Sequence, residues 1–524
     1  MSGGAPAAAW RPTANPWAIA LVVTLASFME ILDSTIVNVT LPHIAGSMGA
    51  STDESTWTLT SYLVANGIVL PISAWLGRFF GRKRYFLISI AAFTLFSLLC
   101  GIAQSLPQLI LFRLLQGFFG GGLQPNQQAI VMDTFPPARR GAALSVVSIA
   151  VVVAPVLGPT LGGFITDNAS WRWVFLINIP VGIVCFLGVL ALVEDPPWSQ
   201  RARQRFDGVG IGLIALAIGC MQVVLDRGEE DDWFASPTIR LFAVLSVLGF
   251  VGAVVWLLYA KHPIVNLRVL KDRNLAVGCL MVSATMAVLY ASAVAIPLLT
   301  QTVFGYTSTL AGLVLSPGAV VLMILIPLVA RLLLPRVQTR LLVFVGFVLL
   351  GLALLYSWRL TPTLDFGALV RIRIAQTVGL AFLFVPISAI SYATLRPEQR
   401  ADATALNVMF RNIAGSIGIG IATALLASRS QVRQAHLAAH LTPFDQPYLD
   451  LLTRNVKGLV AAGHSAQEAG GMAMGMIFRT LQTQANVLAY SDLFLSAAFL
   501  AFAAAPLAFL FSGRRGSTLG GGGH

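Results

Sequence analysis

Two carboxylates interrupt a long apolar stretch near the start of the sequence. Glu30 and Asp33 lie within FMEILDSTIVNVTLP, residues 28–42, which continues an apolar run from Trp17. An acid at the centre of a bilayer costs about 2.5–3.5 kcal/mol on insertion scales, so such groups usually face a cavity or a cation. Glu30 is one helical turn before Asp33 on the same face. We identify Asp33 as the main proton-carrying candidate and Glu30 as a second; the alternative is a helix end whose acids reach the interface.

A polar helical face is predicted between residues 107 and 132. Its members are Arg113, Gln116, Gly117, Gly120, Gln124 and Gln127, at i, i+3, i+4, i+7, i+11 and i+14. Such a face cannot be directed at lipid. Arg113 would lie about 9 Å below the outer surface, a depth similar to that of Asp33, so the two side chains can interact. The alternative is a static ion pair that only holds two helices together.

The remaining polar candidates are predicted to line a substrate cavity. The full set is Asn38, Gln116, Gln124, Gln127, Asn407 and Arg411. Asn407 and Arg411 share one face of a later apolar segment, and Arg411 is expected about 15 Å from its entry, near the midplane. By contrast, Arg371 and Arg373 are expected to extend to the nearby membrane interface.

Residues 154–163, APVLGPTLGG, combine small residues with two prolines. Ala154, Gly158 and Gly162 form a small-xxx-small face that permits close helix approach. Pro155 and Pro159 remove helical hydrogen bonds and permit bending. With Gly163, these positions are predicted to take part in a conformational change, although tight packing alone is also compatible with the pattern.

The composition defines the class of protein. Of 524 residues, 56% are hydrophobic and only 11% are charged, which indicates a multi-pass, all-α membrane protein. The net charge of +12 resides mainly in loops of one parity, so it indicates topology and not a nucleic-acid partner. The four cysteines lie in separate apolar runs and predict neither a disulfide framework nor a metal site. Without GxxxxGK[ST], HExxH or GxSxG, the sequence favours an ion-driven transporter without a cofactor over an enzyme.

Fourteen transmembrane spans are predicted. They lie at approximately 17–38, 55–76, 85–104, 107–132, 141–166, 173–193, 208–226, 237–259, 274–300, 309–330, 341–358, 367–393, 402–427 and 487–511. The positive-inside rule places both termini in the cytoplasm. The long segment 428–486 is then external, and its leucine and valine spacing predicts amphipathic helices.

Several motifs together resemble the major facilitator superfamily, and within it the fourteen-span drug:proton antiporters. They are LDSTIVNVTLP (32–42), RLLQG (113–117), APVLGPTLGG (154–163), WRWVFLINIP (171–180) and FRNIAGSIG (410–418). The resemblance implies six-helix bundles at 1–193 and 274–511, two inserted helices within 194–273, and a cytoplasmic tail at 512–524. The loop LGRFFGRKR (76–84) also resembles the family, at Gly81, Arg82 and Lys83. Arg78 stands where the family has an acid, which puts the usual carboxylate contact at the cytoplasmic gate in doubt.

The resemblance implies proton-driven export of amphipathic drugs across the bacterial inner membrane. A dedicated exporter of one metabolite, such as a fatty acid or a siderophore, is the alternative that the sequence leaves open. The resemblance further implies that segment 428–486 binds a periplasmic adaptor leading to an outer-membrane channel. A helical hairpin that caps its own transporter is the competing interpretation of this segment.

Overall fold

The computed structural model describes residues 12–195, 207–228, 231–261, 263–362, 364–396, 399–442 and 444–512. Within these ranges the regular structure is helical throughout. Most of the linker predicted after residue 193 and the tail from residue 513 lie outside the described residues. The side chains of Asn38 and Pro155 also lie outside the description.

The first part of the chain forms nine α-helices. They are α1 (Pro16–Ile36), α2 (Leu41–Met48), α3 (Thr52–Phe80), α4 (Arg82–Gly101), α5 (Leu106–Gly120), α6 (Leu123–Thr134), α7 (Pro137–Asn168), α8 (Trp173–Leu176) and α9 (Asn178–Leu192). Further helices are α10 (Gly208–Arg227), α11 (Pro237–Tyr259), α12 (Arg273–Thr302), α13 (Ser308–Leu328), α14 (Thr339–Ser357), α15 (Phe366–Ser391), α16 (Arg400–Ala438), α17 (Gln446–Ala461) and α18 (Ala466–Ala504).

Twelve helices of the described ranges are long and apolar enough to cross a membrane. The predicted fourth span is divided into α5 and α6, of 15 and 12 residues. The division falls at Gly121 and Gly122, where α5–α6 approaches α3 so closely that a Cβ atom on Gly121 would lie 2.7 Å from the Asn66 carbonyl oxygen. The predicted fifth span corresponds to α7, of 32 residues. The count of fourteen spans therefore remains a prediction.

Contacts among the helices define two packed halves and an additional pair. In the first half α1 packs on α7 and α9, and α5 packs on α3 and α4. In the second half α12 packs on α15 and α16, and α14 packs on α15 and α18. The halves meet mainly along α7–α13 and α3–α16, while α10 and α11 pack on each other and α10 also contacts α3 and α16.

The two ends of the helix assembly carry different elements. The end that carries α17, here the α17 face, receives the extensions of α16 and α18 and is the side predicted to be external. Helix α17 contains no buried residue. The opposite end, here the Arg78 face, contains the α3–α4 junction and the start of α16. The helices predicted within 428–486 are therefore present, and they lie outside the main helical assembly.

Candidate transport site

Asp33 is enclosed by three donors from two other helices, α5 and α9. Its carboxylate accepts hydrogen bonds from Arg113 Nη1 at 2.6 Å, Asn178 Nδ2 at 2.7 Å and Gln116 Nε2 at 3.2 Å. Both Asp33 and Arg113 are completely buried. The interaction predicted between these two residues is thus present, and each charge has its counter-charge beside it. Removing either partner would leave an uncompensated buried charge.

Arg113 is also fixed by contacts beyond Asp33. Its Nε donates to the Thr58 carbonyl oxygen at 3.2 Å, and its guanidinium lies 4.1 Å from the centroid of the Tyr62 ring. A guanidinium over an aromatic face is stabilised by the ring quadrupole. These contacts join α5 to α3 and hold the Asp33–Arg113 pair in one geometry.

Glu30 has a different environment from Asp33, although it lies on the same helix. Its Oε1 accepts hydrogen bonds from Asn66 Nδ2 at 2.8 Å and from the Tyr62 hydroxyl at 3.2 Å. Its Oε2 accepts one from Gln124 Nε2 at 2.6 Å. All three donors are neutral, and no ion pair to Glu30 occurs among the described residues. A proton on Glu30 would consequently leave no buried cation without its partner.

Gln124 connects Glu30 to the second half of the molecule. Its amide nitrogen donates to Glu30, and its amide oxygen accepts a hydrogen bond from Arg411 Nη2 of α16. Arg411 is buried, and with Asn407 it lines a small cavity of about 20 Å³. The chain Glu30–Gln124–Arg411 therefore links α1, α6 and α16 across the interface between the halves.

A cavity of about 440 Å³ lies between the halves, on the side of the α17 face. This volume is in the range of pockets that bind drug-sized molecules. The lining includes residues of seven helices: Glu30, Ile31, Ser34 and Thr35 of α1; Thr56, Leu59, Thr60, Tyr62, Leu63 and Asn66 of α3; Gln124 of α6; Pro159 of α7; Ile218, Met221, Gln222, Leu225 and Asp226 of α10; Tyr290, Pro297 and Leu298 of α12; and Met409, Ile419 and Thr423 of α16. About half of these side chains are apolar, and the others carry polar groups.

The predicted cavity residues are distributed over several places. Gln124 lines the large cavity, as does Glu30. Gln116 belongs instead to the Asp33 cluster. Gln127 is buried and donates to Thr24 Oγ1 at 3.1 Å. The face predicted from spacing is thus present on α5 and α6, but its members serve helix contacts as well as the cavity.

The glycines of α7 allow it to lie directly against α1. A Cβ atom on Gly158 would clash with Thr35, and one on Gly162 would lie 2.7 Å from the Ile36 carbonyl oxygen. Gly163 is buried beside them, and Pro159 lines the large cavity. Because the obstructing atom at Gly162 belongs to the backbone, a larger residue there must displace α1.

The Arg78 face is closed by an ion pair between the halves. Arg78 Nη1 of α3 lies 2.5 Å from Asp402 Oδ1 of α16. Arg82 pairs with Asp133 within the first half, and Lys83 Nζ donates to the Leu190 carbonyl oxygen at 2.7 Å. The sequence put a carboxylate contact at this gate in doubt, because Arg78 replaces the usual acid. A carboxylate contact is nevertheless present, with the cation on the first half and the acid, Asp402, on the second.

The turn between α3 and α4 depends on Gly81. Its φ of 87° falls in the region that disfavours residues with a side chain. The backbone N–H of Lys83 donates to Asp195 Oδ1 at 2.9 Å, which connects this turn to the segment that follows α9. The predicted gate residues Arg78, Gly81, Arg82 and Lys83 thus lie at one junction.

Some functional candidates escaped sequence reasoning. Arg373, expected to extend to the interface, is completely buried, whereas Arg371 is exposed as expected. Asn66 and Tyr62 hold Glu30, and Asn178 holds Asp33. An asparagine inside an apolar run was the available signal for Asn66, and the motif WRWVFLINIP contains Asn178.

The protein is helical and multi-pass, with a drug-sized cavity between two halves and buried charges beside the cavity. These features are typical of membrane transporters. The chain belongs to the Major Facilitator Superfamily, whose family model matches residues 23–419. This membership makes it a transporter and not an enzyme. The large cavity lies toward the α17 face, and the Arg78–Asp402 ion pair lies at the opposite face.

Curated relatives cover nearly the whole chain. The chain is 36% identical over 506 residues to "Multidrug export protein EmrB" of Escherichia coli, covering 96% of each chain. It is 36% identical over 510 residues to "Fatty acid resistance protein FarB" of Neisseria gonorrhoeae, covering 97% of each. Among solved structures it resembles the human organic anion transporter MFSD10 (TETRAN), with a TM-score of 0.56 and 15% identity over 93% of this chain and 99% of that one. This last likeness supports the fold.

Proposed function

We propose that this protein is a proton-coupled multidrug efflux antiporter that exports amphipathic compounds. The similarity to the multidrug export protein EmrB supports the substrate class. The observation that carries the coupling is the placement of Glu30, a carboxylate that lines the large cavity and whose hydrogen-bond donors, among the residues that the structure describes, are all neutral. No cofactor enters the proposal, because the proton gradient supplies the energy.

The two acids of α1 are proposed to have different tasks. Protonation of Asp33 would leave Arg113 buried without a counter-charge, which costs several kcal/mol. Protonation of Glu30 breaks no ion pair. We therefore assign proton exchange with the cavity to Glu30, and assign to Asp33 and Arg113 the task of fixing α1 against α5. This assignment reverses the order of importance expected from the sequence, where Asp33 came first.

Gln124 is proposed to transmit the charge state of Glu30 to the second half. Its amide donates to an ionised Glu30 with one end and accepts from Arg411 with the other. A proton on Oε2 of Glu30 would need an acceptor, and the amide nitrogen of Gln124 is a donor only. Turning the amide to supply its oxygen would direct its NH₂ group at Arg411. Protonation of Glu30 at Oε2 therefore weakens the hydrogen bond between Gln124 and Arg411, which joins the two halves.

The test compares Glu30→Gln with Asp33→Asn in proteoliposomes that carry a pH gradient. Glu30→Gln should abolish gradient-driven transport of a fluorescent drug while retaining drug binding and drug–drug exchange, because only the proton-carrying group is lost. Asp33→Asn should lower the thermal stability of the purified protein. Glu54→Gln, a capping residue at the start of α3, serves as the control, since glutamine retains the cap.

The assignment is wrong if Glu30→Gln pumps normally. A folded Asp33→Asn protein that binds and exchanges drug without responding to the gradient would transfer the coupling role to Asp33. Equal transport by all three variants would instead indicate that neither acid couples protons to drug movement.

Export of a single metabolite is the second candidate. It is supported by the similarity to the fatty acid resistance protein FarB, which is as close in sequence identity as EmrB of Escherichia coli. A panel of fatty acids, siderophores and unrelated drugs, applied to the same proteoliposomes, separates the two. Transport restricted to one chemical type would favour the dedicated exporter.

The proposed location is the bacterial inner membrane with both termini in the cytoplasm. The basic loops of the Arg78 face, which include Arg78, Arg82, Lys83 and Arg84, support the proposed orientation. The segment around α17 would then project into the periplasm. We propose that it binds a periplasmic adaptor of the EmrA type, which leads to a TolC-like outer-membrane channel. Exposed apolar residues support this, since Phe444 is 95% exposed and Val460 44% exposed.

A further inference from the structure

The small cavity beside Arg411 lies between the two halves, on the side of Gln124 that faces the Arg78 face. Helices α6 and α7 of the first half and α12, α15 and α16 of the second all contribute to its lining. Gln128 in that lining is one turn beyond Gln124 toward Asp133, which pairs with Arg82 at the Arg78 face. Among the described residues, none lines both the small and the large cavity. The small cavity is therefore a separate site.

Two hydrogen-bond donors of α16 line the small cavity. Asn407 and Arg411 are four residues apart, so they lie on one face of the helix, and they are 3% and 8% exposed. Asn407 Nδ2 has no hydrogen-bond acceptor among the described residues. The sulfur of Cys279 lies near Asn407, but sulfur is a weak acceptor. Because a buried amide without its hydrogen bond is costly, this donor is expected to have a partner from outside the chain.

Arg411 adds a positive charge to the lining. Its guanidinium donates to the Gln124 amide oxygen, and it takes part in no ion pair of the described residues. No Asp or Glu in the described part of the chain lines this cavity. Glu30 is linked to Arg411 by hydrogen bonds, but the side chain of Gln124 lies between them. Buried charges are usually paired, so a counter-ion beside Arg411 would be stabilising.

The volume of the small cavity limits what it can hold. The cavity measures about 20 Å³, and a single water molecule needs about 10–15 Å³ by the same measure. One water molecule or one monatomic ion therefore fits, whereas a carboxylate attached to an apolar body does not. A water molecule would leave the charge of Arg411 without a counter-charge. A halide ion would neutralise that charge and accept hydrogen bonds from both donors.

We propose that the small cavity binds a single chloride-sized anion, held by the guanidinium of Arg411 and by Asn407 Nδ2. The ion supplies the counter-charge of Arg411 and the missing acceptor of Asn407. Because both halves line the cavity, the ion contacts both, and separation of the halves at the Arg78 face takes the site apart. This site goes beyond the proposed function, since anion binding requires neither a drug nor a proton gradient.

The charge of Glu30 should affect how tightly the anion binds. An ionised Glu30 repels an anion and offsets part of the positive potential of Arg411, because Gln124 alone separates the two side chains along the hydrogen-bond chain. Glu30→Gln removes this charge and keeps a side chain of nearly the same size. Chloride should therefore bind more tightly to Glu30→Gln than to the wild type.

The test measures the Tm of the purified full-length protein in detergent while sodium chloride replaces sodium gluconate at constant ionic strength. Gluconate is too large for the cavity and serves as the reference anion. The Tm of the wild type should rise by roughly 1–2 °C when chloride reaches ten times its dissociation constant. Arg411→Gln should abolish this rise. In Glu30→Gln the rise should begin at a severalfold lower chloride concentration.

Asn407→Asp places a carboxylate of the same size as the amide where the anion is proposed to bind. It should raise the Tm measured in gluconate and remove the response to chloride, and it keeps the proposal testable if Arg411→Gln does not fold. The matched control is Arg429→Gln, which removes the same charge as Arg411→Gln from an exposed position of the same helix. Its Tm should respond to chloride as that of the wild type does.

Two results would overturn the anion site. A wild-type Tm that does not differ between chloride and gluconate would indicate that water alone occupies the cavity. A wild-type response to chloride in Asn407→Asp, or in a folded Arg411→Gln protein, would show that the anion binds elsewhere. If the rise begins at the same chloride concentration in Glu30→Gln and in the wild type, the electrostatic link between Glu30 and the anion is wrong.

Discussion

The ion pair between Arg78 and Asp402 is expected to favour the state in which the Arg78 face is closed. The two residues come from opposite halves and are 324 positions apart in the sequence. When the halves separate on this side, the pair must break while contacts within each half remain. Asp402→Asn should therefore shift the protein toward states open at the Arg78 face, and Arg78→Gln should do the same.

The size of this shift follows from the exposure of the pair. The side chains are 26% and 13% exposed, so the contact is partly screened despite its short N–O distance of 2.5 Å. We assign it about 1 kcal/mol, the upper end for exposed ion pairs. That corresponds to about a fivefold change in the ratio of closed to open states. The double exchange Arg78→Asp with Asp402→Arg should restore most of the wild-type ratio, whereas Arg78→Asp alone should give the largest opening.

The ratio of closed to open states can be measured by double electron–electron resonance between spin labels at positions 80 and 396. Both positions are exposed and lie near the Arg78 face. The native cysteines interfere little, because Cys100, Cys185, Cys220 and Cys279 are all buried. Each neutral variant should raise the population of long distances, and the exchanged pair should lower it again. If the exchanged pair stays as open as Arg78→Asp, the two charges do not act on each other and the reasoning is refuted.

Two further predictions concern α7 and the α17 face. Gly162→Leu should abolish transport and lower the melting temperature of inserted protein, because its Cβ would meet the Ile36 carbonyl oxygen and such overpacking costs about 1–3 kcal/mol; Gly470→Leu, where nothing lies within 4 Å of a Cβ, is the control. Normal turnover by Gly162→Leu would reduce the motif to ordinary packing. Replacing Phe444, Leu451 and Val460 together by serine should abolish co-purification of a periplasmic adaptor but leave transport in proteoliposomes unchanged. Loss of that transport would instead assign α17 to the transport cycle itself.

The class of protein and one buried ion pair were predictable from sequence. Composition alone indicates many membrane spans, because few soluble proteins contain so little charge. The pairing of Asp33 with Arg113 follows from helix geometry, since both lie at similar depths on helices that cross the membrane in opposite directions. The first inference requires no knowledge of which helices are neighbours. The second requires only that the helices that carry Asp33 and Arg113 are neighbours.

The separate environments of Glu30 and Asp33 were not predictable in the same way. Three residues on an α-helix turn by about 300°, so the two side chains point some 60° apart. That angle is small enough to place them on one face and large enough to give them different partners. Asp33 meets Arg113 and Asn178, whereas Glu30 meets Asn66 and Gln124. The rotation of α1 about its own axis decides this, and the neighbouring helices determine that rotation.

The burial of Arg373 also depends on a neighbouring helix. Its position seven residues after the start of α15 allows a long side chain to reach the interface. Gly318 of α13 lies against it instead, so closely that a Cβ on Gly318 would lie 3.0 Å from Arg373 Cγ. Likewise, the partner of Arg78 could not be selected from sequence, because Asp402 belongs to the other half and no local pattern marks it.

Helix α1 combines fixed and changeable contacts, and this arrangement determines where a proton can act. The Asp33–Arg113 pair holds α1 to α5 within the first half, and Glu30 is not part of it. Among the described residues, the hydrogen bonds of Glu30 reach the second half through Gln124 and Arg411. Under the proposed function, a proton on Glu30 therefore weakens a contact between the halves while leaving the first half rigid. Such a change favours movement of one half against the other as a body over the unfolding of a single helix.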